Sequence, residues 1–388
     1  MKSLGVYIHI PFCVRKCNYC DFLSAPATRE QIVAYVGALK REIEREAIRY
    51  RDFEVTTIFF GGGTPSLLEA QDVAELMEVL KSRYLIAEQA EITLEMNPGT
   101  ATRKKLQALH QAGINRLSIG LQSANDKELR MLGRIHSFEV FLETYHNARA
   151  CGFDNINIDL MSGLPGQSVN DWEHTLQTII ALEPEHISAY SLIIEEGTEI
   201  YQNIERYPAL PSEEEERMMY HKTKELLRKH GYERYEISNY AQKGYESKHN
   251  CVYWQRDAYV GFGLGAASMV ADMRWKNTTE LSEYMQVYGY DDKSRTTDGR
   301  CLEIKQEQEE LTHQDCMEEF MFLGLRMMAG VQKRDFEEQF GRSIQEVYGD
   351  VLAKWEQQKM LYQDDTCVRL TEQGVDICNM IFTDFLLD

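Results

Sequence analysis

Tyr7-Ile8-His9-Ile10-Pro11-Phe12-Cys13-Val14-Arg15-Lys16-Cys17-Asn18-Tyr19-Cys20-Asp21-Phe22 packs three cysteines into eight residues. Leu4 to Ile10, rich in branched and aromatic residues, predicts a first strand and puts the cysteines in the loop at its C-terminal end. Three thiolates spaced C-x3-C-x2-C can hold three corners of a cubane iron-sulfur cluster and leave the fourth iron open to a ligand. The alternatives are buried thiols or a structural zinc site completed by a ligand such as His9. A structural zinc normally shows a second ligand pair at short spacing, and none is visible.

Outward from this loop the chain alternates. Ile32, Tyr35, Val36, Leu39 and Ile43 recur at helical spacing and predict a helix from about Thr28 to Tyr50. Strands are expected near Val55 to Phe60, Glu91 to Met96, Arg116 to Leu121, Asn155 to Met161 and His186 to Leu192. Helices are expected near Leu68 to Arg83, Thr102 to Ala112, Phe138 to Cys151 and Asn170 to Leu182. Strands followed by helices in this way pair in parallel through right-handed crossovers. Either an open doubly wound sheet or a barrel fits; six strands, not eight, favour an α/β fold with an incomplete (β/α)6 TIM-like barrel.

Past residue 195 the pattern predicts an acidic helix from about Ser212 to His230 and a strand near Tyr235 to Tyr240. Residues 244 to 295 are Gly- and aromatic-rich with few regular signals. From Leu311 helices return, with a turn at Gln363-Asp364-Asp365 and a last helix from Glu372, as in a small, mainly α winged-helix-like module. The expected division is a barrel at 1–240, a connecting, ligand-covering region at 241–310 and an acidic C-terminal domain at 311–388.

Hydrophobic residues at 43% and charged residues at 27% suit a soluble globular chain. No apolar run is long enough for a transmembrane helix, and the start shows no signal peptide, so a cytoplasmic protein is expected. The six cysteines outside the loop (Cys151, Cys251, Cys301, Cys316, Cys367, Cys378) are scattered, which argues against a disulfide framework. A net charge of −20, with seven basic against fifteen acidic residues after position 310, disfavours nucleic acid as a partner.

Gly61-Gly62-Gly63-Thr64-Pro65 follows an apolar strand, and three glycines there suggest close backbone approach to a ligand. Glu95, Gln122 and Asp159 close the next strands, so they converge on the rim that carries the cysteines, where folds of this class place ligands. Gly261-Phe262-Gly263-Leu264-Gly265-Ala266 formally fits G-x-G-x-x-G/A, but lacks the expected strand-helix-strand context. A glycine-rich loop closing over the barrel mouth is expected instead.

The cysteine triplet, with Tyr19 before its last member, resembles the signature of the radical S-adenosylmethionine (SAM) superfamily. Over residues 4 to about 280, and more weakly beyond, the chain is similar to the oxygen-independent coproporphyrinogen III oxidase family. The resemblance implies a 4Fe-4S cluster on Cys13, Cys17 and Cys20 whose open iron binds SAM, with the glycine motif receiving the methionyl amino group. It also implies Tyr7, Gly62 and Glu95 as contacts to that SAM. Tyr19, Gly63, Thr64, Gln122, Arg134 and Asp159 fall at positions for a second SAM.

Two departures separate the chain from the oxidases: Phe22 stands where they carry a fourth cysteine, and strand one begins near residue 4 without their N-terminal segment. Both match the HemW subfamily of haem chaperones. So does His249-Asn250-Cys251-Val252-Tyr253-Trp254, an H-N-x-x-Y-W match that implies haem contact by His249, Asn250, Tyr253 and Trp254. A neutral imidazole is a good axial ligand and aromatics cover a macrocycle, although the same residues also suit plain loop packing. The implied function is haem chaperone, with haem passed to an acceptor protein. Coproporphyrinogen III oxidation is the alternative, and a redox-sensing, partner-binding protein the second. The resemblance leaves open whether the chain is an enzyme, which acceptor and electron donor it uses, whether it is a monomer or homodimer, and whether it touches a membrane peripherally.

Overall fold

β1 (Lys2–Ile10) shows why the chain folds as it does: Leu4, Val6, Ile8 and Ile10 are fully buried on one face, while Tyr7 and His9 point to the other. The first face packs on α1 (Arg29–Glu46), which opens on a capping box between Thr28 and Gln31 and buries Tyr35, Val36, Leu39 and Ile43. Each such side chain contributes roughly 1.5–3 kcal/mol on burial. The computed structural model describes residues 1–290 and 304–387; Cys301 lies outside them.

The alternation then runs β2 (Phe53–Gly62), α2 (Ala70–Arg83), β3 (Leu85–Met96), α3 (Arg103–Ala112) and β4 (Arg116–Gln122). It continues through α4 (Asp126–Met131), α5 (Phe138–Ala150), β5 (Ile156–Ser162), α6 (Val169–Ile180) and β6 (His186–Ser191). β1 to β6 lie side by side in sequence order, all parallel, so their C-terminal ends share one rim.

After α7 (Glu199–Gln202) and α8 (Glu213–Lys229) come β7 (Glu233–Arg234), β8 (Asn239–Ala241) and α9 (Lys248–Trp254). Next are β9 (Tyr259–Phe262), β10 (Ala267–Val270), β11 (Met273–Asn277), α10 (Leu281–Tyr288) and β12 (Lys305–Glu310). β9 adds to β1 in parallel, β10 to β12 follow antiparallel, and β8 pairs antiparallel with β6. Among the described residues the result is one mixed twelve-stranded sheet with the six parallel strands at its heart, an incomplete barrel that does not close.

Three local expectations are corrected. The strand near Tyr235 to Tyr240 is interrupted, because the Glu236 carboxylate accepts from Ser238 N and Asn239 Nδ2 and ties off a turn between β7 and β8. Residues 244 to 290 are largely regular. The glycine run does not cover the mouth: Gly261 sits in β9 beside Tyr7. Gly263 and Leu264 turn between β1 and α1, where their N–H groups bond Glu42 and the Tyr35 hydroxyl.

Residues 311–385 build a second core. It holds α11 (His313–Gly324), β13 (Val331–Gln332), α12 (Lys333–Phe340), α13 (Ile344–Gln357), β14 (Leu361–Gln363) and β15 (Cys367–Leu370). α14 (Glu372–Asp376) and α15 (Cys378–Thr383) divide the expected last helix at Ile377, whose ψ of 25° is not helical. The small antiparallel sheet against these helices is winged-helix-like. Among the described residues no helix is long and apolar enough to cross a membrane.

Candidate functional site

The shared rim opens into a cleft walled by Cys13, Cys17, Cys20, Tyr19, Gly62, Gly63, Thr64, Glu95, Gln122, Arg134 and Asp159. Thus the strand-end residues, the glycine motif and the cysteine loop meet in one place. Tyr7 lies one layer below: its hydroxyl pairs with His9 Nδ1 at 2.9 Å and its half-buried ring stacks on Phe59. Phe22 and Val14 stand exposed at the rim with Arg15 and Lys16.

Local geometry explains the glycines. Gly62 has φ 111°, and a Cβ there would strike the His9 ring at 2.6 Å. A Cβ on Gly63 would meet Phe12 O at 2.7 Å and Cys13 Sγ at 3.0 Å, so the motif is moulded to the cysteine loop. Gly62 N donates to Glu95 Oε2 at 3.1 Å. Burial, then the nearby Asp159, pushes the Glu95 carboxyl up to about 8. Burial also raises Asp159, against hydrogen bonds from Asn157, Ser188 and Ser118.

The three thiols are free of disulfides. Cys13 Sγ is 3.3 Å from Thr64 Oγ1, and Arg134 Nη1 donates to Cys17 Sγ at 3.7 Å. Burial pushes the Cys20 thiol up to about 11. Among the described residues no three His, Cys, Asp or Glu side chains converge on a single metal ion. His9 cannot complete a zinc site as it stands, since Nδ1 faces the Tyr7 hydroxyl and Nε2 the Leu23 carbonyl. Thiols spread around one cleft, with a guanidinium and a hydroxyl turned to the sulfurs, fit a cubane's separate corners better than one ion's single point.

Two features escaped the sequence. Asn97, just past the third strand, donates to Thr64 Oγ1 at 2.9 Å and accepts from Arg134 Nη2 at 2.7 Å, joining the glycine motif to the arginine. Gln122 sits at φ 76° where the β4–β5 register slips by one residue, a bulge that re-aims its side chain at the cleft.

The H-N-x-x-Y-W residues lie elsewhere, on α9 at the barrel floor. His249 is buried; its Nδ1 is 2.8 Å from Thr57 Oγ1 and its Nε2 2.9 Å from the Tyr253 hydroxyl. Burial pushes the imidazole down to about 3. In this arrangement His249 has no free nitrogen to offer iron. Trp254 turns the other way and carries the Arg326 guanidinium 4.3 Å above its ring; Asn250 N bonds the Ser247 cap.

Residues 7–179 match the family described as Radical SAM superfamily, and residues 311–377 the HemN C-terminal domain. The heme chaperone HemW of Bacillus subtilis is 36% identical, with 100% of this chain and 99% of that protein covered. That of Lactococcus lactis is 35% identical, covering 100% and 98%. Among solved structures, the radical SAM coproporphyrinogen III oxidase HemN of Escherichia coli superposes with a TM-score of 0.84 at 25% identity, covering 99% of this chain and 90% of that one. Family membership implies a 4Fe-4S cluster and SAM. The chain belongs to the radical SAM superfamily and, within it, to the HemW family.

Proposed function

We propose that the chain is a haem chaperone that holds a 4Fe-4S cluster on Cys13, Cys17 and Cys20, binds SAM beside it, and hands haem to an acceptor protein. The observation that carries the cofactor half is the convergence of three unbridged thiols, the Gly62-Gly63 backbone and Glu95 in one cleft. The haem half rests on the relatives that are named heme chaperones over essentially the whole chain.

A cluster held there would supply an open iron for SAM's amino and carboxylate groups to chelate, and an electron for SAM. The chain's own residues do the rest. Gly62 and Gly63 bring backbone to the cleft wall beside a ligand's amino group, Glu95 sets a carboxyl next to it, and Thr64 and Arg134 orient the sulfurs. Gln122, Tyr19 and Asp159 close the far wall. In this reading residues 1–240 form the cofactor body, the described part of 241–310 (241–290 and 304–310) plugs its floor and flank, and the domain that begins at 311 is the second. Haem ligation by His249 requires α9 to give up the bond to Thr57 or Tyr253, so haem reaches that residue only after a local opening.

The likeness to the oxidase keeps coproporphyrinogen III oxidation as a second reading. Phe22, exposed where a fourth cysteine marks the oxidases, disfavours it. The test is anaerobic reconstitution followed by haem titration and transfer to an apo-haem protein, alongside a coproporphyrinogen turnover assay. Haem binding with transfer and no turnover is expected; robust turnover without haem transfer would replace the chaperone reading.

A further inference from the structure

Arg116 opens β4 on the inward face it shares with Ser118, Gly120 and Gln122, and it is 2% exposed. Among the described residues its Nε has no hydrogen-bond partner, and no carboxylate stands within ion-pair distance of it. Arg134 and Arg234 also leave Nε unpaired, but their terminal nitrogens are engaged, Arg134 with Asn97 and Gly120 and Arg234 with Tyr220 and Glu372, while Arg256 pairs with Glu319. Because a guanidinium stays charged in any protein environment, a buried one demands opposite charge nearby.

That charge stands one to two rungs up the barrel. In the β3–β4 register Thr93 pairs with Arg116 and Glu95 with Ser118. On β5, Asp159 turns toward β4, its oxygens taking Ser118 Oγ at 3.2 Å and Asn157 Nδ2 at 2.8 Å. Glu95 is faced by Tyr7 of β1, Tyr253 of α9, Asp159 and Arg116. Asp159 is faced by Tyr19 of the cysteine loop, Tyr190 of β6, Glu95 and Arg116. His186 and His249, the remaining basic groups beside Arg116, are held neutral by burial and then by Arg116 itself. One fixed cation therefore sits beneath two carboxyls that repel one another.

We propose that Arg116 is a positioning residue of the mouth: it is the buried counter-charge that favours the carboxylate forms of Glu95 and Asp159 for a cationic ligand. This rests on the reading that the mouth takes SAM, whose ammonium and sulfonium supply the cations. Arg116 itself touches no ligand; it acts through the two acids.

The test is SAM affinity of the anaerobically reconstituted chain by equilibrium dialysis, with the EPR signal of the reduced cluster as an independent report of binding. Wild-type affinity should rise with pH as Glu95 ionises. Arg116→Gln should weaken binding about tenfold at neutral pH and displace the affinity curve upward by about one pH unit, the size of effect a nearby charge exerts. Arg116→Lys, which keeps the charge, should stay on the wild-type curve. Superimposable curves for wild type and Arg116→Gln overturn the proposal. If Arg116→Gln does not fold, Arg116→Met, which fills the same buried space without charge, decides: an upward shift supports the counter-charge and a wild-type curve overturns it. A wild-type chain that binds no SAM at any pH sinks the SAM reading, and the role of Arg116 with it, whereas SAM binding indifferent to Arg116 sinks the latter alone.

Discussion

The two ends of the barrel carry the two most suggestive motifs in the chain, and they differ in availability. At the mouth, Cys13, Cys17 and Cys20 line an open cleft with their metal-binding capacity unused by disulfides. At the floor, His249 is enclosed, with Thr57 on one nitrogen and Tyr253 on the other, and its ring stacks on Phe59 5.0 Å away. Both motifs contain good ligand atoms. What separates a site from a structural element is whether those atoms are already engaged, since a buried polar group must be partnered to be tolerated at all.

The largest effect expected from this contrast is at the mouth. Replacing Cys13, Cys17 and Cys20 together by Ser should abolish iron and sulfide incorporation and the cluster's visible absorption. The unfolding free energy of the metal-free chain should change by no more than about 1 kcal/mol, because partly exposed side chains make small contributions. Iron retained by the triple variant would move the cluster away from this loop. Since Cys20 holds its proton up to about 11, cluster assembly should also release protons and strengthen as pH rises.

At the floor the order of effects reverses. His249→Ala strands Thr57 Oγ1 and the Tyr253 hydroxyl and should cost about 3 kcal/mol, while leaving cluster content and SAM affinity unchanged. The imidazole is pushed far below its ordinary value, so the unfolded chain takes up the proton first and stability falls as pH drops below that ordinary value. Between about pH 6.5 and pH 5 this amounts to about 2 kcal/mol, measurable by urea unfolding as the difference between wild type and His249→Gln. Glu95 has the opposite slope: its folded-state value is raised to about 8, so its contribution is lost as pH rises from the ordinary carboxyl range toward that value. If His249→Ala left stability untouched yet erased the haem spectrum, the floor would be an open ligand site after all.

Why the mouth was legible and the floor was not follows from what each depends on. Parallel β/α units announce themselves by period, and the rule that strand ends share a rim gathers Gly62, Glu95, Gln122 and Asp159 without any knowledge of their contacts. β9, β10 and β11 are four or five residues each and take their conformation from pairing with β1 and with one another, so residues 244 to 290 carry little signal of their own. The positive φ of Gln122 and the bridging role of Asn97 depend on register and on side chains distant in sequence. The H-N-x-x-Y-W string reads identically whether its histidine is free or enclosed. Only the positions of Thr57 and Glu91, from strands more than 150 residues earlier, tell the two apart.

Glu91 offers the finest probe of that enclosure. Its two carboxylate oxygens each accept a backbone N–H from the start of α9, Lys248 N and His249 N, both at 3.1 Å. Glu91→Gln keeps one acceptor but turns an amide NH2 toward the other N–H, which should cost about 1.4 kcal/mol, tenfold in an opening equilibrium. Hydrogen exchange at the α9 amides should accelerate about tenfold, while β4 amides at the barrel centre keep their wild-type rates. That outcome makes α9 a separately opening plug, the condition under which His249 can shed Tyr253 and reach iron. Equal acceleration in α9 and β4 would mean that the floor opens only when the whole barrel unfolds, and haem would then have to bind without His249.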